Sequence, residues 1–228
     1  MTKNITKQYD AFAKTFSTNH SIGENSNNKN RSHFYSLLEE LPLVPKSTIL
    51  DLACGDGFDA NHYKESGFDV VGIDASKELI RIAQGKYPNV DFKVGLAERL
   101  PYQDKCFDAV FSKYAIMTSK DIQPIFNEAH RVLKEGGYFV YLVTHPFRQY
   151  FEKKSKDADY FQQETVTSNI LNNSVSVQEP SHTLNEFFSR NLLEKFDIMN
   201  FEEAFDPAAE RIEGRTYPGY FIVVAKKR

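Results

Sequence analysis

Two short segments carry the residue types that hold a nucleotide-like ligand. Residues 51–57 read Asp-Leu-Ala-Cys-Gly-Asp-Gly, and the glycines at positions 55 and 57 let the backbone turn sharply and approach a ligand without an intervening Cβ. Asp74 follows 19 residues after Gly55. At the end of a strand, such a carboxylate can accept hydrogen bonds from both hydroxyls of a ribose. The two segments therefore predict a nucleotide-binding turn and an acid that holds the sugar.

The same turn also satisfies the dinucleotide fingerprint, because Gly55 and Gly57 are followed by Ala60. A nicotinamide-dependent oxidoreductase is therefore one hypothesis for this chain. Asp51 weighs against it, since a negative charge four residues before Gly55 suits a cationic ligand better than a pyrophosphate. The turn supplies no cation to phosphates, and Asp56 adds another negative charge within it.

The elements that must position these residues alternate between strand and helix patterns. Predicted strands cover residues 48–53, 69–74, 90–94, 107–112 and 138–144, and predicted helices cover residues 60–66, 77–85 and 122–133. This alternation predicts βαβ units and a parallel sheet. Residues 196–205 and 220–226 predict two last strands, which we expect to form a hairpin rather than a second mononucleotide-binding half.

Two further segments are longer than such a sheet requires. Residues 1–35 are polar and rich in Asn, with aromatic residues at positions 9, 12 and 16 whose spacing indicates a short helix face, and a helix is predicted over 32–41. Residues 146–182 interrupt the alternation without a strong helix signal, and a helical stripe returns over 184–196. We expect a single domain over residues 1–228, with an N-terminal arm or lid at 1–35 and an insert at 146–182 that caps an acceptor site.

The composition excludes several function classes. The 228 residues include 28 Lys and Arg against 31 Asp and Glu, a net charge of −3, which argues against electrostatic capture of nucleic acid or of an anionic membrane. No apolar run approaches the ~20 residues of a membrane span, and no secretory leader is visible, so we expect a cytoplasmic protein. Cys54 and Cys106 are the only cysteines, and neither has a partner at metal-ligand spacing. We therefore expect no disulfide and no metal site.

Four groups of segments occur in an order and at separations that are typical of one protein family. They are residues 49–57, residues 71–76, residues 97–102 followed by 107–112, and residues 131–137. In these segments the chain resembles the class I S-adenosylmethionine-dependent methyltransferases of the small-molecule type, over roughly residues 9–226. The resemblance implies an α/β fold, a Rossmann-like, seven-stranded, mostly parallel sheet with the last strand antiparallel and helices on both faces.

The resemblance also implies a cofactor, S-adenosylmethionine, which leaves as S-adenosylhomocysteine. Asp51 would help to hold its amino group and Asp74 its ribose hydroxyls, and Arg31 is a candidate for its carboxylate. The other implied cofactor-binding residues are Tyr9, Ala53, Gly55, Gly57, Ala75, Leu96, Ala97, Glu98 and Ser112. Leu96 departs from the family, which often has an acidic or polar residue there for the adenine amino group. Leu96 can pack on the ring but cannot accept that bond, which leaves Glu98 or the backbone to do so.

The methyl acceptor is expected at the carboxyl ends of the strands, where open α/β sheets bind their ligands. His145 ends the fifth predicted strand and is the candidate general base, with capping of a loop as the alternative. Tyr114 leaves the fourth strand and could hydrogen-bond the acceptor, with packing against the lid as the alternative. The candidate substrate-binding residues, which ordinary packing or a solvated loop would equally explain, are Phe147, Tyr150, Arg215 and Tyr217.

The main hypothesis is a metal-independent methyltransferase that acts by in-line displacement on O, N or S of a small-molecule metabolite. Residues 112–115 read Ser-Lys-Tyr-Ala and lack the Asn/Asp-Pro-Pro-Tyr pattern that suits amide or nucleobase nitrogens. We expect a small-molecule acceptor, no nucleic-acid or membrane partner, and a monomer or homodimer. The alternative is a catalytically silent S-adenosylmethionine-binding module that serves regulation or assembly.

Overall fold

The sheet that carries the predicted turn is the main feature of the fold. The computed structural model describes residues 3–20, 26–153, 157–206 and 211–228. The strands within these ranges are β1 (Thr48–Leu52), β2 (Asp69–Asp74), β3 (Asp91–Val94), β4 (Phe107–Lys113), β5 (Leu133–Thr144), β6 (Thr165–Ile170), β7 (Val175–Pro180), β8 (Phe196–Ala204) and β9 (Tyr220–Lys227). Seven of them form one sheet, and β6 pairs with β7 in a separate hairpin.

The order of the large sheet is β3-β2-β1-β4-β5-β9-β8. β9 is antiparallel to both of its neighbours, β5 and β8, whereas the remaining neighbours pair in parallel. This confirms the predicted seven-stranded α/β sheet with its closing hairpin. The strand order reverses beside β1, so the crevice at the carboxyl ends of β1 and β4 is the point where such sheets bind ligands.

Helices cover both faces of the sheet and its carboxyl edge. They are α1 (Lys3–Asn19), α2 (Ser26–Glu39), α3 (Phe58–Glu65), α4 (Lys77–Lys86), α5 (Gln123–Val132), α6 (Pro146–Glu152), α7 (Leu184–Phe187) and α8 (Arg190–Lys195), and a 3₁₀ turn occupies Ile116–Thr118. None of the helices among the described residues is long and apolar enough to cross a membrane.

The central strands are apolar on both faces because both faces are buried. Leu50 and Val110 point into one core cluster, which also holds Phe126 of α5. Their neighbours Ile49 and Phe111 point into a second cluster on the opposite face, against α2 and α3. This alternation fixes the register of β1 against β4, and it places the ends of both strands, and the residues that follow them, at one edge.

Three elements lie over that edge, and we call α1, α6 and the β6–β7 hairpin the cap. Ile5 of α1 packs with Leu171 and Val177 of the hairpin. The side chain of Gln8 donates to the carbonyl of Gln178 at 3.1 Å and accepts from its amide at 2.9 Å. The N-terminal helix and the insert therefore form one packed layer, although about 170 residues separate them.

The cap is also where the predicted elements differ most from the structure. Residues 146–182, which carry no strong helix signal, contain a helix, because α6 begins there with Pro146 in its first turn and His145 as its cap. α1 is longer than the short helix face expected, and α2 begins at Ser26 rather than at residue 32. The stripe over 184–196 splits into α7 and α8, since Ser189 accepts from the amide of Leu192 and starts a new helix.

Candidate active site

A cavity of about 420 Å³ lies at the carboxyl ends of β1 and β4. Its walls come from the β1–α3 turn, the end of β2, the residues that follow β4, and all three elements of the cap. This volume falls within the range of small-molecule sites. The sequence-predicted site residues that line it are Tyr9, Asp51, Ala53, Gly55, Asp74, Ala75 and Tyr114.

The turn after β1 takes its shape from three residues in the left-handed region, Ala53 (φ 61°), Gly55 (φ 56°) and Gly57 (φ 81°). A Cβ at Gly57 would lie 2.5 Å from the ring of Phe92, so this position admits only glycine. A Cβ at Gly55 would lie 3.3 Å from the ring of Phe16, because α1 packs directly on the turn. The turn thus presents its backbone to the cavity. Gly57 helps to shape the turn but does not line the cavity.

Asp74 closes β2 and faces the cavity from across this turn. Its Oδ2 accepts from the amide of Gly55 at 3.0 Å, and its Oδ1 accepts from the amide of Ser76 at 2.8 Å. Burial raises the pKa of Asp74 to about 6, although both amide bonds favour the ionised form. Each carboxylate oxygen accepts further bonds, so Asp74 is held in place and can still accept from two hydroxyls.

Asp51 is a buried carboxylate with an unsatisfied oxygen in the cavity wall. Its Oδ2 has no hydrogen-bond partner among the described residues. Burial, followed by the charge of Asp59, raises its pKa well above the usual range, and Lys113 opposes the shift. The ammonium of Lys113 is itself held 2.6 Å from Asp59. A cationic group of a ligand would therefore find an acceptor at Asp51 that the protein leaves unsatisfied.

Asp56 lies in the same turn but points away from the cavity, toward α1. It is fully buried, and it accepts from Ser17 Oγ at 2.8 Å and from Lys86 Nζ at 2.9 Å, with His20 Nδ1 at 3.1 Å. Burial opposes its ionisation, but the bonds from His20 and Lys86 outweigh burial and lower its pKa to about 2. Asp56 therefore fastens the end of α1 to the turn.

Arg31 lies behind the cavity wall rather than in it. Its Nε donates to Asp59 Oδ1 at 3.2 Å, and its guanidinium sits 4.1 Å from the ring centre of Phe58. Lys113, by contrast, lies in the cavity wall, and its charge acts on Asp51. The expectation that Arg31 reaches the cofactor carboxylate is therefore not met in this arrangement, because its side chain is held by α3.

The adenine-side segment also lies outside the cavity lining. Leu96 is 46% exposed at a tight turn, and Ala97 packs into the core. Glu98 accepts from Ser119 Oγ at 2.8 Å, facing the loop before α5. Ser112 is buried in β4, and its hydroxyl has no hydrogen-bond partner among the described residues. The side chains on this flank of the cavity are instead Leu79, Met117 and Thr118.

His145 does not face the crevice, so its expected placement as a general base is wrong. Its side chain is fully buried, with Nε2 2.8 Å from Glu203 Oε1. Its Nδ1 accepts from the amide of Phe147 at 3.1 Å, so the ring proton is on Nε2 and is donated to Glu203. Both nitrogens are therefore engaged. The loop-capping alternative describes the structure, since His145 starts α6.

Tyr114 does line the cavity, at the acceptor side. It takes a left-handed backbone conformation (φ 53°) directly after β4, and its hydroxyl accepts from Asn30 Nδ2 at 2.7 Å. Burial raises the pKa of this phenol well above its usual value, so Tyr114 is a neutral hydrogen-bonding group rather than a base. Its hydroxyl can still donate to a ligand.

The four expected substrate-binding residues do not line the cavity. Phe147 stacks on the ring of His145 at 5.2 Å between centroids and is 41% exposed. Tyr150 packs against its helix neighbour Phe151, which also packs edge-on against Tyr217. Arg215 is exposed in a short bridge with Ile212. Ordinary packing, the alternative interpretation, describes Phe147 and Tyr150, whereas a solvated loop, the other alternative, describes Arg215.

The acceptor side is occupied by charged residues that were not among the predicted site residues. Arg148 pairs with the fully buried Asp206 and, at 3.1 Å, with Glu152. Glu179 of β7 faces the cavity with only 3% of its surface exposed. Arg148 follows the end of β5 by four residues, and ligands of open α/β sheets bind at the carboxyl ends of the strands. Its position in the sequence could therefore have identified it. Glu179 lies in the insert, where no local pattern marks it.

Among the described residues, no group of three or more His, Cys, Asp or Glu side chains could hold a metal ion. The residues that do converge are an unsatisfied carboxylate at Asp51, a fixed carboxylate at Asp74 and a backbone turn between them. That donor set fits an ammonium and a ribose diol, which S-adenosylmethionine carries on one molecule. The residues present therefore fit the cofactor implied by the resemblance.

Comparisons with known proteins show which proteins this chain is similar to. Residues 50–141 match the family model of a methyltransferase domain. An uncharacterized methyltransferase of Synechocystis is 39% identical over 110 residues, 47% of this chain and 52% of that protein. A demethylmenaquinone methyltransferase of Chlorobaculum tepidum is 41% identical over 90 residues, 39% of this chain and 37% of that protein. The chain thus spans about half, or less, of the length of these relatives.

The solved structure of an S-adenosylmethionine-dependent methyltransferase from Mesorhizobium loti has the same fold. It matches with a TM-score of 0.67 and 22% identity, covering 85% of this chain and 96% of that one. At this identity the likeness establishes the fold alone. The family-model match, which begins in β1 and ends in β5, covers the strands and the turn that shape the cavity. Residues 50–141 thus match a methyltransferase-domain family, and the chain has the fold of S-adenosylmethionine-dependent methyltransferases.

Proposed function

We propose that this protein transfers a methyl group from S-adenosylmethionine to a small molecule bound between Tyr114, Arg148 and the β6–β7 hairpin. The observation that carries the proposal is the cavity that joins the unsatisfied carboxylate of Asp51 and the fixed carboxylate of Asp74 to an acceptor side with its own charged residues. S-adenosylmethionine supplies a methyl group activated by a positively charged sulfur. The protein's contribution is to hold both reactants and to exclude water.

Asp51 and Asp74 hold the two ends of the donor in this proposal. Asp51 Oδ2, which has no hydrogen-bond partner among the described residues, accepts a hydrogen bond from the amino group of S-adenosylmethionine. Asp74 accepts from the ribose hydroxyls, with its position fixed by the amides of Gly55 and Ser76. Phe16 and Tyr9 of α1 cover this end, so bulk water is kept from the donor.

A small acceptor is favoured by the closure of the cavity. α1 and the hairpin meet over it through Gln8 and Gln178, which leaves a space suited to a metabolite rather than to a polymer. The name of the Chlorobaculum relative, a demethylmenaquinone methyltransferase, refers to a small molecule as well. We include O, N and S acceptors in the proposal, with transfer by in-line displacement and without a metal ion.

Calorimetry with S-adenosylmethionine and S-adenosylhomocysteine, followed by product detection across a panel of small acceptors, tests the proposal. We expect both ligands to bind the wild type, and Asp51→Asn to weaken binding by about 30-fold or more through loss of a charged hydrogen bond. The matched control is Asp91→Asn, a half-exposed carboxylate at the start of β3. Absence of binding of either ligand would contradict the proposal, and binding without turnover would support the silent module instead.

A further inference from the structure

The hydroxyl of Ser168 bridges two carboxyl groups in the cap. Its Oγ lies 2.9 Å from Glu179 Oε1 and 3.0 Å from Glu152 Oε2. A hydroxyl has one proton, so it can donate to only one of two ionised carboxylates. The arrangement is satisfied at both contacts when one carboxyl group is protonated and donates to the hydroxyl. The three side chains therefore share a proton between β6, β7 and α6.

Glu179 is the member of the pair that exchanges a proton near neutral pH, and its ionised form is the one that can take up a proton from an acceptor. Burial, and then the charge of Glu152, raises its pKa to about 7, although Ser168 and Gln149 favour its ionised form. Glu152 differs from Glu179 in its contacts, because it accepts a hydrogen bond from the guanidinium Nε of Arg148 at 3.1 Å.

The surroundings of Glu179 come from three elements. Gln149 and Glu152 face it from α6, Tyr9 faces it from α1, and His182 follows it after β7. Gln149 is itself fixed, because it donates to the carbonyl of Pro180 at 3.2 Å and accepts from the amide of His182. Glu179 therefore has a fixed position, and its proton affinity is set by one nearby carboxylate and one imidazole.

The three side chains lead from the cavity to the surface. Glu179 and Ser168 line the cavity, whereas Glu152 does not, and 21% of its side chain is exposed. Tyr9, Asp74 and Glu179 all line the cavity, and the charges of both carboxyl groups raise the pKa of the Tyr9 phenol.

We infer that Glu179 accepts the proton that the methyl acceptor loses, and that Ser168 passes it on to Glu152 and to solvent. This rests on the proposed function and names its substrate class, a hydroxyl or amine that gives up a proton on methylation. The acceptor's lone pair forms the new bond to carbon, and the electron pair of the broken C–S bond stays on sulfur. The acceptor's O–H or N–H bond breaks toward Glu179. Glu179 then donates to Ser168 Oγ while the serine proton moves to Glu152.

The proton-sharing arrangement can be tested without turnover, by NMR titration of the protein carrying ¹³C-carboxyl-labelled glutamate. We expect one glutamate to titrate near pH 7 in the wild type and to be missing in Glu179→Gln. In Ser168→Ala its titration should shift, because the bridging hydroxyl is gone. Glu164→Gln, at the base of the same hairpin, is the matched control and should leave this titration in place. If no glutamate titrates between pH 6 and 8, or the signal persists in Glu179→Gln, the inference is overturned.

Turnover as a function of pH tests the catalytic role, with hydroxyl, amine and thiol acceptors compared. Glu179→Gln should lower kcat by about 100-fold or more, in line with loss of a general base, and should remove the rise of kcat near pH 7. The affinity for S-adenosylhomocysteine should not change. Ser168→Ala should lower kcat by only about tenfold, because water can replace a relay group. The rise of kcat should move to higher pH, because the hydroxyl that favours ionised Glu179 is gone.

The outcomes separate this inference from the proposed function. A wild type that binds no S-adenosylmethionine and methylates nothing overturns both. A wild type that methylates hydroxyls or amines, with Glu179→Gln equally active over the whole pH range, overturns the inference alone. Methylation confined to thiols, which ionise in water near neutral pH, also overturns it.

Discussion

The two sides of the cavity are built in different ways. On the donor side, Asp74 is fixed by Gly55 and Ser76, 19 and 2 residues away in sequence. On the acceptor side, the cap is held together by Gln8 and Gln178, 170 residues apart, and by Arg148 and Asp206, 58 residues apart. The donor side therefore follows from local turn geometry, and the acceptor side from long-range packing.

The difference indicates how one fold serves many acceptors. The family-model match covers residues 50–141 and ends before α6 and the hairpin begin. Asp51 and Asp74 lie within the matched segment, whereas Arg148, Glu179 and Asp206 lie outside it. Changing α6 and the hairpin leaves the bond between the β1 turn and the end of β2 in place, because that bond joins Gly55 directly to Asp74. Acceptor specificity can then vary without loss of the cofactor.

The largest effect is expected from Asp74→Ala, which tests whether the donor side depends on one local carboxylate. Loss of two charge-assisted hydrogen bonds to the ribose should weaken S-adenosylhomocysteine binding by about 100-fold or more. Calorimetry measures this directly. Asp69→Ala, an exposed carboxylate at the other end of the same strand, is the control and should bind as the wild type does. Unchanged affinity in Asp74→Ala would show that the ribose is held elsewhere.

A smaller effect is expected from pH, again on the donor side. The pKa of Asp74 is raised to about 6 by burial, so below pH 6 most unliganded molecules carry a neutral Asp74. The ligand needs the ionised form, and its dissociation constant should therefore rise as pH falls, by about tenfold between pH 7 and pH 5. The raised pKa of Asp51 acts in the same direction. In Asp51→Asn, calorimetry should still show the rise of the dissociation constant that protonation of Asp74 causes. A dissociation constant that does not change with pH in the wild type or in Asp51→Asn would contradict the assignment of Asp74 to the ribose.

A weaker effect is expected on the cap from Gln8→Ala. Gln8 makes both of its hydrogen bonds to the backbone of one residue, Gln178, on the open edge of β7. Their loss costs about 1 kcal/mol and lets α1 separate more easily from the hairpin. We expect about a threefold weaker affinity for S-adenosylhomocysteine and faster exchange of the Gln178 amide, measured by calorimetry and hydrogen exchange.

Lys7→Ala is the matched control for that experiment, since Lys7 is its exposed neighbour on α1. It should change neither quantity. A Gln8→Ala protein whose Gln178 amide exchanges as slowly as in the wild type would show that α1 and the hairpin are held together by their apolar contacts alone, through Ile5 and its partners.

The sequence was informative where local rules decide the structure. Glycines in a positive-φ turn and an acid at a strand end are recognisable without knowing the rest of the chain, and the main sheet was predicted from alternating periods. His145 and Arg31 were placed wrongly for one shared reason. The side chain of His145 is hydrogen-bonded to Glu203 and that of Arg31 to Asp59, and these bonds hold both side chains out of the cavity lining. Such partners lie 58 and 28 residues away, and a single sequence does not show them.

The smallest effect is expected from Arg215→Ala, compared with Arg148→Ala. Arg215 was predicted from the sequence to bind the acceptor, but of these two arginines only Arg148 lines the cavity. Arg215 is exposed, so its removal should change the free energy of unfolding by less than about 0.5 kcal/mol and leave turnover unchanged. Arg148→Ala deprives the buried carboxylate of Asp206 of its guanidinium, which costs about 3 kcal/mol. Urea denaturation measures both. An Arg215→Ala protein that loses turnover would show that Arg215 contributes to the acceptor site although it lies outside the cavity lining.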